Sequence, residues 1–513
     1  PATTTAGAAP AAELVEQGFP ALAARLSGGQ LTAAALVAGY RQRIEALDAR
    51  GPTLRAVLAV NPDADAIARA LDADRAAGKP AGRLHGLPIL VKDNVDTGDQ
   101  QATTAGSRAL AGSRAAKDAF VVARLRAAGA VILGKANLSE WANFRGQGSS
   151  SGWSGVGGQC RNPYALDRSP LGSSSGSAAA VAASLCAAAI GSETDGSIVS
   201  PAGCCGVVGV KPTVGLVSRG GVLPLAPSQD TLGPIARTVL DAATLLTVIA
   251  GADPADPATT APHPARPAAP VDYTERLHAQ ALAGARLGVV RAGLFGVHRG
   301  LDEAMTAALA QLRALGAELV DPVDLPVPPE LGNAELEVLR YELKASLDAY
   351  LAARPGAPIR SLADAIAWNR AHAADELAGF GQEYFEQAQA KGPLTDPAYR
   401  AARDTCVRLA RAELIDRALA KHRLDAFVAP TNSPAWLIDP VNGDGGGGVS
   451  CSTLPAVAGY PHVTVPGGWV RGLPVGLSFF GGPYTEARLL AYAFAFEQAT
   501  HHRAPPRYLP TAG

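Results

Sequence analysis

The sequence predicts an α/β fold, in which strands and helices form separate packed layers. Short apolar runs alternate with helical patterns between residues 54 and 133, as expected when strands and helices follow each other along a chain. Residues 87–91 (LPILV) are continuously apolar, which is typical of a strand with both faces buried. Hydrophobic residues make up 48% of the 513-residue chain, enough for a large core.

Periodicity and turn residues divide the first part of the chain into elements. Apolar positions recur with a helical period over residues 13–50, where Gly28 and Gly29 separate two amphipathic helices. The elements expected after them are a strand at 54–60, a helix at 62–78, the strand at 87–91, a helix at 118–128 and a strand at 130–133.

A Gly- and Ser-rich stretch over residues 143–177 lacks an apolar period but contains aromatic residues such as Trp153 and Tyr164. Disordered linkers rarely carry such aromatics, and long ordered loops are usually functional. An Ala-rich helix is expected next, over residues 177–190, with Ser177 as its N-cap.

The second half of the chain begins with a Pro- and Ala-rich stretch at residues 251–270, which is typical of a linker. Residues 330–425 carry long mixed-charge helical patterns and are expected to be mostly helical. The remaining elements expected here are a strand at 285–290, a helix at 301–315 and strands at 318–320, 425–430 and 473–480.

Charge and composition argue against several classes of protein. Lys and Arg number 45 against 46 for Asp and Glu, so the net charge of -1 offers no attraction for nucleic acids or anionic lipids. No purely apolar run reaches the roughly 18 residues of a membrane span. Six cysteines without a C-x-x-C pair indicate neither a disulfide scaffold nor a structural zinc site.

Residues 1–10 (PATTTAGAAP) are small, uncharged and low in complexity, and we expect them to form a flexible N-terminal segment. The one Met of the chain is Met305, which fits a processed or trimmed start. Such a segment can remain after removal of a signal peptide, which favours export over a cytoplasmic location. A cloning boundary fits equally well, so the compartment stays open.

Three polar clusters lie where predicted strands and helices meet: residues 92–94 (KDN), 172–177 (GSSSGS) and 191–198 (GSETDGSI). Lys92 follows the buried strand, where desolvation lowers the pKa of a Lys and favours the neutral amine that can act as a base. Small residues in the other clusters let backbone N–H groups approach a ligand. Each cluster alone also fits a structural role, as a surface lysine or as helix caps.

Two other functional motifs, the nucleophile elbow and the Walker loop, fit the sequence poorly. Residues 148–152 and 172–176 both match the G-x-S-x-G pattern of a nucleophile elbow. Neither follows a convincing strand, and the nine histidines are scattered, so a Ser-His-acid site is not expected. The chain also lacks the Gly-Lys-Ser/Thr of a Walker loop.

Seven segments, in this order, carry a stronger signal: residues 91–94 (VKDN), 134–140 (GKANLSE), 169–179 (SPLGSSSGSAA), 191–198 (GSETDGSI), 207–212 (VVGVKP), 458–461 (AGYP) and 472–477 (GLPVGL). Together they resemble the amidase signature family, over roughly residues 13–503. The resemblance implies a mixed, twisted central sheet with helices on both faces. It also implies a single domain over residues 11–513, with the helical insert at about 330–425 bordering the site.

The family resemblance also implies a Ser-cisSer-Lys triad. Ser197 matches the nucleophile, Ser173 the bridging serine with a cis peptide bond, and Lys92 the base. No metal and no organic cofactor is implied. The resemblance further implies an oxyanion hole built from the backbone N–H groups of four consecutive residues, Thr194, Asp195, Gly196 and Ser197.

Residues 137–145 (NLSEWANFR), 151–154 (SGWS) and 214–219 (VGLVSR) look like the peptide amidase branch of the family. Members of that branch hydrolyse the C-terminal carboxamide of peptides and spare internal peptide bonds. The resemblance places a pocket wall at residues 143–153, with Gln147 as the expected substrate contact.

Two positions depart from the usual family pattern. Asp195 stands where the family usually has Gly, and its role, in substrate binding or in structure, stays open. Val199 stands where the family usually has Arg, which puts a supporting ion pair in doubt.

We therefore expect a serine-type amidohydrolase that converts small peptide amides to the free acid and ammonia through an acyl-enzyme. The alternatives are another amidase of the family acting on aryl, aliphatic or fatty acyl amides, a glutaminase-like component of an amidotransferase, and a non-catalytic binding module. Intact Lys92, Ser173 and Ser197 argue against the last of these. The expected assembly is a monomer or homo-oligomer with no nucleic-acid partner and no membrane span.

Overall fold

The computed structural model describes residues 11–354, 356–445 and 447–513, so the segment expected to be flexible, residues 1–10, lies outside the described residues. The strands are β1 (Val57–Val60), β2 (Pro88–Lys92), β3 (Val131–Ala136), β4 (Trp153–Ser154), β5 (Gly158–Gln159), β6 (Ala188–Glu193), β7 (Val208–Lys211), β8 (Thr231–Ala236), β9 (Arg286–Val290), β10 (Glu318–Val323), β11 (Ala426–Pro430), β12 (His462–Val470) and β13 (Leu473–Phe480).

The helices are α1 (Phe19–Ser27), α2 (Ala33–Arg43), α3 (Ala64–Ala76), α4 (Phe120–Ala127), α5 (Ser175–Ala182), α6 (Val199–Cys204), α7 (Val239–Ile249), α8 (Arg299–Ala314), α9 (Pro329–Ala352), α10 (Leu362–Ala371), α11 (Ala373–Glu376), α12 (Glu383–Gln389), α13 (Pro397–Val407), α14 (Arg417–His422), α15 (Thr453–Ala458) and α16 (Glu486–Thr500). The segment expected to be mostly helical, at about 330–425, contains α9 to α14. None of the helices in the described ranges is long and apolar enough to cross a membrane.

Among the described residues, eleven strands form one mixed sheet in the order β1-β3-β2-β6-β8-β7-β12-β13-β11-β9-β10. The fold is therefore mixed α/β, as the sequence predicts. Every residue of β2, β3, β6 and β8 is buried, so both faces of the sheet are covered there. The apolar run predicted to be a buried strand is β2, and its neighbours β3 and β6 run parallel to it.

The Ala-rich stretch over residues 177–190 is not one helix, and this expectation was wrong. Helix α5 starts after its N-cap Ser174, not Ser177, and ends at Ala182, while residues from Ala188 onward form β6. Ser184, at φ 52°, turns the chain between them. Because the helix and the strand are both fully buried and built of small residues, the sequence shows no period that separates them.

The stretch at residues 251–270 is not a linker between domains, although its composition suggested one. The Asp256 carboxylate accepts hydrogen bonds from the backbone N–H and from Nε of Arg219, both at 2.9 Å. Ser218 Oγ donates to Asp253 Oδ2 at 2.6 Å. These contacts hold the stretch against the body of the protein beside the cavity described below.

A second apolar cluster joins α9 to the aromatic loop residues. Leu339 and Leu343 of α9 share this cluster with Trp141, Phe144 and Leu225. The helical segment is therefore packed on the Gly- and Ser-rich loop next to the three polar clusters.

Candidate active site

Lys92 lies at the end of β2, fully buried. Its Nζ is 2.7 Å from Ser173 Oγ, 3.0 Å from Ser192 Oγ and 3.1 Å from the Ser192 carbonyl oxygen. Parallel pairing explains the meeting, because Val91 of β2 aligns with Ile190 of β6 and both strands end at the same edge. Residues of all three polar clusters thus meet around a single amine.

Burial lowers the pKa of Lys92 from an ordinary value of 10.5 to about 7, and the nearby Glu193 and Asp230 oppose this shift. Two other lysines, Lys135 and Lys211, are equally buried. Lys135 forms an ion pair with the Asp93 carboxylate at 3.7 Å, and Lys211 donates to a backbone carbonyl. Lys92 is thus the buried amine that contacts the hydroxyl of Ser173.

Ser173 is fully buried at the start of α5, and the Gly172–Ser173 peptide bond is cis. Its carbonyl oxygen accepts from the Ser139 backbone N–H at 3.1 Å. The neighbouring Ser174 N–H donates to the Ser197 carbonyl oxygen at 3.0 Å. The two serine-bearing segments therefore lie side by side.

Ser197 lies in the loop between β6 and α6 and is 7% exposed. Within the described chain, its Oγ makes no hydrogen bond, with Ser173 or with any other residue. The preceding Gly196 has φ +77°, and a Cβ there would lie 2.9 Å from Ser452 Oγ. This turn therefore favours glycine at position 196.

The backbone N–H groups of this loop are unused. Over the described ranges, no acceptor is found for the N–H groups of Thr194, Asp195, Gly196 or Ser197. The next two N–H groups, of Ile198 and Val199, donate to Glu193 Oε2 at 2.7 and 3.0 Å. Such a run of N–H groups suits a developing negative charge on oxygen.

Glu193 supports the loop even though Val199 replaces the usual Arg. Its carboxyl oxygen Oε2 accepts from the two backbone N–H groups at the start of α6. Burial raises the pKa of Glu193, while Lys211 and the two hydrogen bonds oppose that rise. The two hydrogen bonds to Glu193 thus hold this loop, although the ion pair expected from the usual Arg was in doubt.

A cavity of about 200 Å³ lies beside the loop, lined by Ser192 and Thr194. Its apolar lining residues are Ala142, Val222, Leu223, Pro224, Leu225, Pro227, Leu232 and Ala255. Its charged lining residues are largely paired: Arg219 binds Asp256, and Asp230 accepts from Thr194 Oγ1 at 2.6 Å. The cavity is thus mainly apolar, and Ser192 and Thr194 are among its polar lining residues.

Gln147, the expected substrate contact, is exposed, and its backbone N–H donates to Glu383 Oε2 at 2.9 Å. It is not among the described residues that line the cavity. Its contact with substrate stays a prediction.

Two residues without a predicted role belong to the site. Ser192 Oγ accepts from Lys92 Nζ and from Asn94 Nδ2, at 3.0 and 2.9 Å. Both stand in polar clusters that the sequence singles out, beside residues with assigned roles. Only the pairing of β2 with β6, which the sequence alone does not give, shows that Ser192 and Asn94 belong beside Lys92. In the described residues, no group of three or more His, Cys, Asp or Glu side chains is arranged to hold a metal ion.

Comparison with known proteins agrees with this fold and identifies the family. A family model described as Amidase matches residues 35–490. A probable amidase of Arabidopsis thaliana is 41% identical over 488 residues, covering 94% of this chain and 89% of the relative. A glutamyl-tRNA(Gln) amidotransferase subunit of Symbiobacterium thermophilum is 38% identical over 514 residues, covering 96% of this chain and 99% of the relative.

Among solved structures, the native peptide amidase from Stenotrophomonas maltophilia superposes with a TM-score of 0.92 at 52% identity, covering 96% of this chain and 99% of that one. The fold and these matches define the protein as an amidase, a hydrolase of amide bonds. The chain belongs to the amidase signature family.

Proposed function

We propose that this amidase hydrolyses the C-terminal carboxamide of peptides, giving the free acid and ammonia through an acyl-enzyme on Ser197. The observation that carries the proposal is the 2.7 Å contact between Lys92 Nζ and Ser173 Oγ, beside a loop of unused N–H groups. The 52% identity to a peptide amidase, against 38% to the amidotransferase relative, supports peptide amides as substrates.

In the proposed mechanism, neutral Lys92 is the base. Its two N–H hydrogens are donated to the Ser192 carbonyl and hydroxyl oxygens, so the lone pair remains for the hydroxyl hydrogen of Ser173. As Ser197 Oγ attacks the amide carbon, its proton passes to Ser173 Oγ, and the Ser173 proton passes to Nζ.

The tetrahedral intermediate places its negative oxygen on the N–H groups of residues 194–197. Removal of one such donor typically costs about 3 kcal/mol of transition-state stabilisation. The proton on Lys92 then returns through Ser173 to the leaving nitrogen, which departs as ammonia. Water attacks the ester on Ser197 by the same proton route and releases the acid.

The apolar cavity supports an acyl group larger than that of a simple amide. Ser192 and Thr194 line it beside the loop, and Leu223 and Leu225 are among its apolar lining residues. A carboxamide held at the loop would place the side chain of the amidated residue against this apolar lining.

Ammonia release tests the proposal. Purified enzyme is incubated with an amidated dipeptide that ends in an apolar residue, with its free-acid form as control. A matched panel contains acetamide, an aryl amide, a fatty acyl amide and glutamine. We expect the dipeptide amide to have the highest kcat/KM, with no cleavage of the internal peptide bond.

The panel also separates the alternatives. Preference for the aryl, aliphatic or fatty acyl amide would replace the substrate in the proposal but keep the chemistry. Preference for glutamine would favour the glutaminase-like alternative. Turnover that survives in the Ser197→Ala variant would contradict the acyl-enzyme.

A further inference from the structure

Two acidic side chains meet beneath the loop that carries Ser197. Asp195 belongs to that loop and is half-buried, with its Oδ1 out of contact with solvent, and Glu335 of α9 is buried. Their carboxyl groups are in hydrogen-bond contact. Thr453 Oγ1 donates to Asp195 Oδ2 at 2.9 Å, and the Ser452 hydroxyl is a further hydrogen-bond partner of the Asp195 carboxylate.

Glu335 is also tied to the residue before Asp195. Gln229 Nε2 donates to Glu335 Oε1 at 2.9 Å and to the Thr194 carbonyl oxygen at 3.3 Å. One side chain of α9 therefore connects, directly or through Gln229, to two consecutive residues of the loop.

Two carboxylates in contact and out of water cannot both be ionised, so the pair holds a proton. Burial raises the pKa of both groups, and the pKa of Glu335 rises further because Asp195 faces it. Lys211 favours the charged form of Asp195. The proton therefore belongs on Glu335, which donates to the Asp195 carboxylate.

The groups that face this pair come from several elements. Lys211 of β7, Glu193 of β6 and Cys451 before α15 act on the Asp195 side. Cys406 of α13 faces Glu335. Burial raises the pKa of both thiols well above neutrality, so both stay protonated at neutral pH. The proton that this region can lose therefore belongs to the carboxyl pair.

We propose that Glu335 is a positioning residue of the amidase, which in its protonated form donates a hydrogen bond to Asp195 and fixes the oxyanion loop. The proposal rests on the proposed assignment of residues 194–197 as that loop. It assigns a role to Asp195, which stands where the family usually has Gly, and a task to α9 beyond covering the site.

Three variants test the proposal in the full chain, with any amide that the wild type hydrolyses as substrate. Glu335→Gln keeps a donor for Asp195 and an acceptor for Gln229, and we expect its kcat to stay within about twofold of wild type. Glu335→Ala removes both, and we expect kcat to fall at least about tenfold with KM little changed. Glu337→Gln is the control, two residues further along α9. It removes the charge that pairs with Lys391, and its kcat should match wild type.

The pH dependence separates positioning from packing. In the wild type, loss of the shared proton creates two negative charges beside the loop, so kcat should fall on the alkaline side. Glu335→Gln cannot lose this proton, and its alkaline fall should disappear while the acid limb stays in place. A difference infrared spectrum of wild type minus Glu335→Gln should show a carboxylic-acid carbonyl band at neutral pH.

An unchanged kcat in Glu335→Ala, or a loss in Glu335→Gln as large as in Glu335→Ala, would overturn the proposal. If Glu335→Ala fails to fold, the pH profile of Glu335→Gln decides. We then expect its alkaline fall in kcat to be absent, and an alkaline fall identical to that of the wild type would contradict the proposal. Failure of the proposed function is a separate result, since it appears as turnover in Ser197→Ala.

Discussion

At the scale of single residues, the protonation state of Lys92 decides whether this amidase can work. Burial lowers the pKa of Lys92 to about 7, so the neutral amine becomes accessible near neutral pH. We expect kcat/KM to fall on the acid side with one group near this value. A pH profile over the acid and neutral range measures it.

The same shift affects stability. The folded state binds fewer protons at Lys92 than the unfolded state, so this group lowers the free energy of unfolding as pH falls from 10.5 to about 7.

Lys92→Arg keeps a charge but cannot give a neutral base, and we expect a loss of about 10²–10⁴-fold in kcat. Substantial turnover in this variant with the same acid limb would show that the base is another group.

The sequence singles out some residues of the candidate site and misses others. The sequence singles out Lys92 because desolvation follows from the apolar run before it, and Ser173 and Ser197 because their motifs match the family; their catalytic roles stay predictions. Ser192 could not be singled out in this way, because its contact with Lys92 depends on the parallel register of β2 and β6. Glu335 was missed because its partner Asp195 lies 140 positions earlier in the chain, and one sequence gives no sign of their contact.

At the scale of elements, the turn between β6 and α6 is the most constrained part of the site. Gly196 has φ +77°, and a Cβ there would lie 2.9 Å from Ser452 Oγ and 3.0 Å from Ser200 Oγ. Gly196→Ala should therefore displace the unused N–H groups, and we expect kcat to fall about 10²-fold or more.

Gly472→Ala in the turn between β12 and β13 is the matched control for this prediction. Gly472 has a similar φ of +79°, but none of the described residues lies within 4 Å of its added Cβ. We expect a stability loss of about 1 kcal/mol from the backbone strain and an unchanged kcat. Equal kcat in the two variants would show that the turn at Gly196 does not position catalytic groups.

Element boundaries were predicted well where polar and apolar residues alternate with a period, and poorly where they do not. Helices such as α3 and α8 carry a polar face, and their predicted and observed ranges agree closely. The boundary between α5 and β6 was missed because Ala and Ser fill both elements and no face is exposed. A composition rich in Pro and Ala also made residues 251–270 look like a linker, although Asp256 anchors them.

At the scale of the whole molecule, a buried charged cluster helps to fasten the helical segment to the loop around the site. Arg145 Nη1 donates to Glu140 Oε1 at 2.8 Å, lies 3.8 Å from Glu376 Oε2 and stacks 4.0 Å from the Phe380 ring centre. Breaking a buried pair of this kind typically costs about 3–5 kcal/mol, because the partner charge stays buried.

We therefore expect Arg145→Ala to lower the melting temperature strongly and to reduce kcat through the displaced loop. Arg299→Ala, which breaks an exposed pair with Glu303, should leave both quantities nearly unchanged. Thermal unfolding followed by circular dichroism measures the effect. A melting temperature for Arg145→Ala equal to that of Arg299→Ala would contradict the role of this cluster.

The most direct measurement of the central claim is the identity of the acylated residue. The enzyme is treated with a fluorophosphonate, and the labelled peptide is identified by mass spectrometry alongside the loss of ammonia release. We expect one adduct, on Ser197, in proportion to the lost activity, and no adduct in Ser197→Ala. Complete loss of activity with Ser197 unmodified and the adduct on another residue would contradict the account.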